Sequence, residues 1–210
     1  MLRKVLIALA AVIVVLLVVI ATRPSTYRVE RSTRIAAPPD VVFGLVNDFH
    51  AWDRWSPWAK LDPEMKVTYG GPPSGLGATY AWTGRAKVGE GNMRITESRS
   101  AQKVGIRLEF LKPMQGVCQT DFGFRPESGG TQVSWVMSGT NDFLGKAFSL
   151  FADMDAMIGK DFDKGLAAMR TEAEAEAKRR ADAASTASST STPTGAPSPV
   201  EPAAASAPAK

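Results

Sequence analysis

From Ile35 to Trp58 the chain reads IAAPPDVVFGLVNDFHAWDRWSPW, and the residue types in this stretch indicate how the folded part begins. A run that alternates charged with apolar or small residues, Tyr27–Ile35, comes first and predicts a strand. Pro38 and Pro39 then end the strand, since proline is favoured in the first turn of a helix. Apolar residues at helical spacing follow and predict a short helix ending near Asp48. They are Val41, Val42, Leu45, Val46 and Phe49.

Beyond the irregular, Trp-rich segment His50–Pro63, short strand-like runs alternate with turn residues. The links between these runs contain Gly, Pro and Ser, which are the residues that turns require. Six consecutive short strands with tight links predict an antiparallel meander. The predicted strands are Met65–Tyr69, Ala78–Thr83, Gly89–Glu97, Lys103–Phe110, Val117–Arg125 and Thr131–Gly139.

A long helix is predicted from Asp142 to Arg180, after the last strand. Its apolar residues lie on one stripe when the residues are stepped by about 100° each. They are Phe148, Phe151, Ile158, Phe162, Leu166 and Met169. An antiparallel sheet that curves around this helix buries the apolar faces of both elements. The pattern therefore predicts an α+β domain.

Five segments resemble the START-like (Bet v 1-like, SRPBCC) superfamily, in its polyketide cyclase/dehydrase-type branch. The resemblance implies a helix-grip fold, in which a curved antiparallel sheet of about seven strands wraps around a long C-terminal helix. It also implies a deep cavity between sheet and helix, where relatives bind lipids, sterols or polyketides, and only some relatives are enzymes. The segments are residues 35–58, VGEGNMRITES (88–98), LEFLKPMQGVCQTDFGF (108–124), GTQVSWVMSG (130–139) and MDAMIGKDFDKGLAAM (154–169).

The two ends of the chain have compositions unlike that of the domain. An unbroken apolar run, Val5–Ala21, predicts a single-pass transmembrane anchor within residues 1–25. A cleaved signal peptide is the alternative and would make the protein secreted. The START-like domain is expected at residues 26–180. Residues 181–210 are mostly Ala, Ser, Thr and Pro, which predicts a disordered tail.

Basic residues flank the apolar run on both sides. Arg3 and Lys4 precede it and favour an extracytoplasmic domain at the cell membrane. Arg23, Arg28, Arg31 and Arg34 follow it and favour the opposite orientation. The last three lie in a predicted strand, and folded domains translocate largely regardless of charge, so we expect the extracytoplasmic orientation.

Composition excludes several classes of function. The net charge of +4 is scattered along the chain, and no recognition motif is present, which argues against a nucleic-acid partner. The single cysteine, Cys118, cannot form an intrachain disulfide, and the single histidine, His50, excludes metal sites with two His ligands. We therefore expect no metal and no cofactor. The expected partners are a hydrophobic small molecule or lipid and the membrane around Val5–Ala21, and protein partners stay unknown.

Strand alternation supplies the candidate ligand-cavity residues. One phase of the meander is apolar and the other is charged, so the apolar phase should face the helix. A filled core without a ligand is the alternative for each of these positions. The candidates, with two loop tryptophans and three positions from the helix, are Trp55, Trp58, Tyr80, Trp82, Met93, Leu108, Phe110, Cys118, Phe122, Trp135, Met137, Phe151, Asp155 and Ile158.

Three residues are candidates for acid–base chemistry. Asp155 lies on the inward stripe of the long helix and has two interpretations. It is a cavity acid with a raised pKa, or the helix rotates or kinks near Gly159 and Asp155 pairs with a strand arginine or meets water. His50 is a natural general base, but the sequence offers no partner for it. Tyr80 is an inward strand residue. Cys118 is expected to be buried and inert, since the sequence provides no activating group.

The tryptophans of the loop, Trp52, Trp55 and Trp58, have three interpretations: a gate at the cavity mouth, a contact with the bilayer interface, or anchors that pin the loop by packing.

Three functions remain open. The first is membrane-tethered binding of a hydrophobic small molecule or lipid in the internal cavity. The second is a cyclase- or aromatase-like enzyme that uses cavity residues such as Asp155, His50 and Tyr80 as acids and bases. The third is an envelope scaffold that recruits proteins through the domain and the tail. Fold alone does not choose among them.

Overall fold

The computed structural model describes residues 1–85, 88–150 and 153–190. The helices and strands follow one another in the order that the sequence predicts, apart from the closing helix. The helices are α1 Leu2–Thr22, α2 Pro39–Asn47, α3 Trp52–Trp55, α4 Phe143–Phe148 and α5 Met154–Thr190, with a 3₁₀ turn at Phe49–Ala51. The strands are β1 Thr26–Ile35, β2 Lys66–Gly70, β3 Thr79–Thr83, β4 Glu90–Arg99, β5 Lys103–Lys112, β6 Gly116–Glu127 and β7 Gly130–Thr140.

The seven strands form one antiparallel sheet in the order β1-β7-β6-β5-β4-β3-β2. Strands β2 to β7 are a continuous meander, and β1 closes the sheet by pairing with β7. Helix α5 packs along β1 and beside α2 and α3. This arrangement confirms the predicted α+β helix-grip fold, with an apolar N-terminal helix added in front.

Pairing register aligns one row of residues across four strands. Tyr27 pairs with Gly139, Gly139 with Cys118, and Cys118 with Leu108. We call the side of this row on which β1 begins and β5 ends the anchor end, because α1 joins β1 there. The turns β4–β5 and β6–β7 lie at the opposite end, which we call the far end.

Packed rings fill the space between the sheet and α5. The ring of Trp135 stacks on Phe162 of α5 at 3.9 Å and on Phe122 at 4.8 Å. Trp55 meets Trp135 edge-on at 5.6 Å, and all four side chains are at most 1% exposed. We call these four residues the aromatic core. The Trp135 indole also donates to the Thr120 hydroxyl at 3.1 Å, so its polar atom is satisfied.

The closing helix differs from the prediction. A single helix over Asp142–Arg180 is wrong, because the structure has two helices, α4 and α5. The side chain of Asp142 accepts from the backbone N–H of Gly145, and that of Asp153 accepts from the N–H of Ala156. Each aspartate thus acts as an N-cap, and a new helix starts after it. The periodicity of apolar residues does not reveal such capping bonds.

Helix α5 also continues past the predicted end at Arg180 to Thr190. Its stripe residues Phe162, Leu166 and Met169 are buried as predicted, whereas Phe148 belongs to α4 and is 46% exposed. Phe151 and residues 191–210 of the predicted tail lie outside the described residues. The domain boundaries therefore stay a prediction.

Candidate functional site

The inward phase of the sheet is buried as predicted. Met93, Cys118, Phe122, Trp135 and Met137 are all under 9% exposed, and so are Tyr80 and Trp55. The charged phase faces outward, as at the exposed Arg94 and Arg107. The rings of the aromatic core occupy the space in which the resemblance implied a deep cavity. Burial thus fits core packing at these positions, and their role as ligand contacts stays a prediction.

Two open pockets lie on the described surface, and neither is enclosed between the sheet and the aromatic core. The larger, about 590 Å³, lies at the anchor end between the start of β1 and the junction of α4 with α5. The smaller, about 250 Å³, lies beside His50 and Tyr69. Of the predicted cavity residues that the structure describes, Asp155 alone lines either pocket. Small-molecule sites are usually about 300–1,000 Å³, so size favours the larger pocket.

Burial along the inner face of the sheet falls toward the anchor end. On β5, Val104 and Ile106 are 0% exposed, Leu108 is 9% and Phe110 is 37% exposed. Trp82, whose ring lies 6.0 Å from that of Phe110, is half-buried. Apolar surface on the inner face is therefore most accessible at the anchor end.

The lining of the larger pocket is amphipathic. Its apolar side is formed by Tyr27, Val29, Leu150 and Met154. Charged side chains line it as well, namely Arg23, Arg28, Asp153 and Asp155. Such a lining suits a molecule that carries an apolar body and a polar group, because both parts find a partner.

Asp155 lies at this pocket as an ion-paired carboxylate. Both carboxyl oxygens accept from the Arg31 guanidinium at 2.9 Å, and the Asp155 side chain is 56% exposed. The Arg31 hydrogen bonds hold the pKa of Asp155 below its usual range. The expected cavity acid with a raised pKa is therefore wrong, and the alternative, a pair with a strand arginine, is confirmed.

Gly159 makes room for this ion pair. A Cβ atom at position 159 would collide with the Arg31 guanidinium, which crosses α5 there. Arg31 lies on the inward-facing side of β1, in phase with the buried Val29 and Ile35. The sequence alone did not identify Asp155 as its partner. Only the packing of α5 against β1 brings Arg31 and Asp155 together.

His50 has a partner that the sequence analysis missed. Its ring Nδ1 lies 2.8 Å from Asp48 Oδ1, and the same oxygen accepts the backbone N–H of His50. The His50 ring also stacks on Tyr69, with ring centroids 4.0 Å apart. The signal was the Asp-x-His spacing, since an Asp side chain readily bonds to the backbone two residues on.

Tyr80 does not join the other two acid–base candidates at one site. It lies against Tyr69, with ring centroids 5.6 Å apart, and lines neither pocket. Burial raises the pKa of Tyr80 to about 12, which makes it a poor proton carrier near neutral pH. Asp155 lines the larger pocket and His50 the smaller one, so the three residues do not converge.

The tryptophans after α2 pin the segment to the domain. The indole of Trp52 donates to the Val46 carbonyl at 3.0 Å, and that of Trp55 donates to the Leu45 carbonyl at 2.8 Å. Both side chains are at most 5% exposed. The interpretation of Trp52 and Trp55 as a gate or a bilayer contact is therefore wrong, because either role needs an accessible side chain. Trp58 is half-buried and packs edge-on against Trp135 at 5.7 Å.

Cys118 is buried, at 4% exposed, and burial raises the pKa of its thiol. This confirms that Cys118 is buried, and its inertness stays a prediction, since the thiolate is the reactive form.

Helix α1 is the one helix in the described part of the chain that is long and apolar enough to cross a membrane. A signal peptide has the same properties. Of its residues only Ile20 is buried, so α1 contributes almost nothing to the core of the domain.

Comparison with known proteins gives one family match. Residues 26–174 match the family described as polyketide cyclase / dehydrase and lipid transport. The matched range covers the sheet, α2 to α4 and the first half of α5. No curated protein sequence matches the chain significantly.

Several solved structures share the fold. Protein CV1439 from Chromobacterium violaceum is 18% identical with a TM-score of 0.52, covering 72% of this chain and 99% of its own. Protein SA2116 of unknown function from Staphylococcus aureus is 15% identical with a TM-score of 0.53, covering 73% and 96%. The Aha1 dimer from Colwellia psychrerythraea is 14% identical with a TM-score of 0.50, covering 70% and 96%. At these identities the likeness establishes the fold alone.

Proposed function

The chain belongs to the polyketide cyclase / dehydrase and lipid transport family, and on this premise we propose that it binds a hydrophobic small molecule or lipid while α1 holds it to the cell membrane. The family suggests a hydrophobic ligand. The choice of place is our inference. We assign the ligand to the larger pocket at the anchor end rather than to a chamber deep between sheet and helix.

The observation that carries this assignment is the amphipathic pocket of about 590 Å³. Its volume lies within the usual range for small-molecule sites, and it lies at the anchor end, toward which burial along β5 also falls. The pocket also lies directly beside the last residues before β1, since Arg23 and Pro24 line it. A lipid that leaves the bilayer next to α1 would therefore meet this pocket first.

Photo-crosslinking with a diazirine-bearing fatty acid tests the proposal on the full chain in nanodiscs. Crosslinks mapped by proteolysis and mass spectrometry should fall on residues of the pocket, such as Leu150 and Met154, as well as on α1. Met154→Lys should lower crosslinking at the pocket about tenfold or more, because a buried ammonium opposes an apolar ligand. Excess unlabelled lipid should compete.

Met157→Lys is the matched control. Met157 lies one turn further along α5, is 55% exposed and does not line the pocket. It should leave pocket crosslinking unchanged. Crosslinks confined to α1, or pocket crosslinks that survive Met154→Lys, would contradict the assignment.

The enzyme alternative retains one specific observation. The contact of His50 with Asp48 orients the imidazole, and the smaller pocket lies beside its ring. An oriented histidine can act as a general base. His50→Gln should leave fatty-acid crosslinking at the larger pocket intact, whereas loss of turnover of a bound ligand in this variant would favour the enzyme.

A further inference from the structure

Exposed large apolar side chains of the domain concentrate at one end. On the β5–β6 hairpin, Leu111 and Met114 are 42% and 60% exposed, and on α4, Phe143 and Phe148 are 54% and 46% exposed. We call the set Phe110, Leu111, Met114, Val117, Phe143 and Phe148 the apolar rim. Apolar side chains that leave the core in such a group mark an interaction surface.

Register places the apolar rim level with the end of the membrane helix. Strand β5 ends at Lys112, four residues beyond Leu108 in the row, so at about 3.3 Å per residue the hairpin extends roughly 13 Å past the row. Thr26 lies one residue beyond the same row, and the link 23–25 adds up to about 10 Å. The last turn of α1 and the hairpin tip therefore lie at similar heights.

Helix α4 is fixed at the same level by direct contact. It packs against α1, and the Lys146 ammonium donates to the carbonyl of Ala21 in the last turn of α1. Phe143 and Phe148 lie at the two ends of α4, on either side of this contact.

Two of the three strand-to-strand turns at the far end have the opposite character. The β4–β5 turn runs through Arg99, Ser100 and Lys103, and the β6–β7 turn is Glu127-Ser128-Gly129-Gly130. The third far-end turn, β2–β3, carries one exposed large apolar side chain, Leu76, at 65% exposed. The group of six such side chains in the apolar rim is therefore what distinguishes the end that carries α1. Trp, Phe and Leu are the residues expected on a surface that enters the boundary between headgroups and acyl chains.

We propose that the apolar rim inserts into the bilayer interface beside α1, so that the domain docks on the membrane rather than hanging from it. The inference rests on the membrane anchoring by α1 in the proposed function. Two cations near the rim are ion-paired, Lys112 with Glu90 and Arg28 with Glu30, and the rim itself is apolar, so the contact is apolar rather than electrostatic. Docking in this way turns the larger pocket toward the lipid.

Spin-label depth measurements on the full chain in phosphatidylcholine nanodiscs test this inference. Nitroxide labels are placed through Met114→Cys and, separately, Phe148→Cys. Ser100→Cys at the far end is the water control, and Val12→Cys in the middle of α1 is the bilayer control. Native Cys118 is buried and stays, with the unlabelled chain as a blank.

Labels at 114 and 148 should collide with oxygen several-fold more often, relative to a water-soluble nickel chelate, than the label at 100. Raising the salt to 1 M should leave this ratio unchanged, because the contact is apolar. Leu111→Cys repeats the hairpin measurement if Met114→Cys fails to fold.

Three results overturn the inference. In the first, the oxygen-to-nickel collision ratio is water-like at positions 114 and 148 but bilayer-like at position 12. The docking would then be wrong while the anchoring holds, and the apolar rim would be a surface for a protein. A water-like ratio at 12 removes the anchoring and the docking with it. A ratio at 114 that falls to the water value in 1 M salt removes apolar insertion. Fatty-acid crosslinking at the larger pocket is scored separately, so failure of ligand binding is distinguished from failure of docking.

Discussion

The aromatic core and the anchor end of this domain use the same residue types for opposite purposes. In the aromatic core, Trp135 is sandwiched between Phe122 and Phe162 and is 1% exposed. At the anchor end, Phe143 and Phe148 are about half exposed, and neither stacks on another ring within residues 1–85, 88–150 and 153–190. The comparison teaches that the sheet is closed by rings at one place and left open at another, and that the open place is where α1 attaches.

The largest effect is expected from a substitution in the aromatic core, the closed region of this comparison. Trp135→Ala should lower the free energy of unfolding by about 3–5 kcal/mol, because it removes a fully buried ring that neighbouring rings cannot replace. Chemical denaturation monitored by circular dichroism measures the change. Leu111→Ala, on the apolar rim, is the control and should stay within about 0.5 kcal/mol. Equal losses from the two variants would contradict the distinction between closed and open regions.

A second pair of substitutions compares two glycines of α5. A Cβ atom at Gly165 would lie 2.8 Å from the fully buried Trp135 ring and 3.1 Å from the half-buried Pro57. Gly165→Ala should therefore cost about 1–3 kcal/mol, as overpacking does. The same measurement on Gly159→Ala should show a change under about 1 kcal/mol. There the neighbour is the flexible end of Arg31, and alanine itself favours the helix.

If Gly159→Ala cost as much as Gly165→Ala, the Arg31 side chain would be as rigidly held as the aromatic core. A double variant with Arg31→Ala separates the two contributions, since alanine at 159 should then only stabilise α5.

The smallest expected effect concerns the pH dependence of the Arg31–Asp155 pair. The pKa of Asp155 is lowered in the folded chain, so the pair stabilises the fold above the unfolded pKa of about 3.9. This contribution is lost as the pH falls through the lower folded pKa. The wild-type chain should thus be more stable than Asp155→Asn at pH 7, and the difference in melting temperature should vanish near pH 2.

Asp163→Asn is the comparison variant for this pH series. Asp163 contacts Arg31 through a single, longer approach of 3.7 Å. Asp163→Asn should change the fall in melting temperature between pH 7 and pH 2 less than Asp155→Asn does. An unchanged difference between wild type and Asp155→Asn from pH 7 to pH 2 would show that the pair contributes nothing through its charge.

Much of the fold could be predicted because its signals are local. Alternation along the strands, the prolines at the start of α2 and the stripe of Phe162, Leu166 and Met169 on α5 each depend on a few neighbouring residues and agree with the structure. Phe148, which the same stripe included, is instead exposed on α4. The sequence analysis did not predict the break before α5, because the apolar spacing continues through it and the signal is a single capping hydrogen bond that Asp153 accepts. The site was harder to predict, since alternation separates inside from outside but does not say whether the inside is full.

By itself the sequence determined the α+β class, the strand order of the meander, the inward phase of the sheet and the apolar character of α1. Only the tertiary structure decided that aromatic rings fill the space beneath α5, that Arg31 meets Asp155, and that the pocket and the apolar rim lie at the end where α1 joins the domain. The physical reason is distance along the chain. Periodicity reports what neighbours share, whereas pockets, ion pairs and surfaces arise where segments far apart in sequence are packed together.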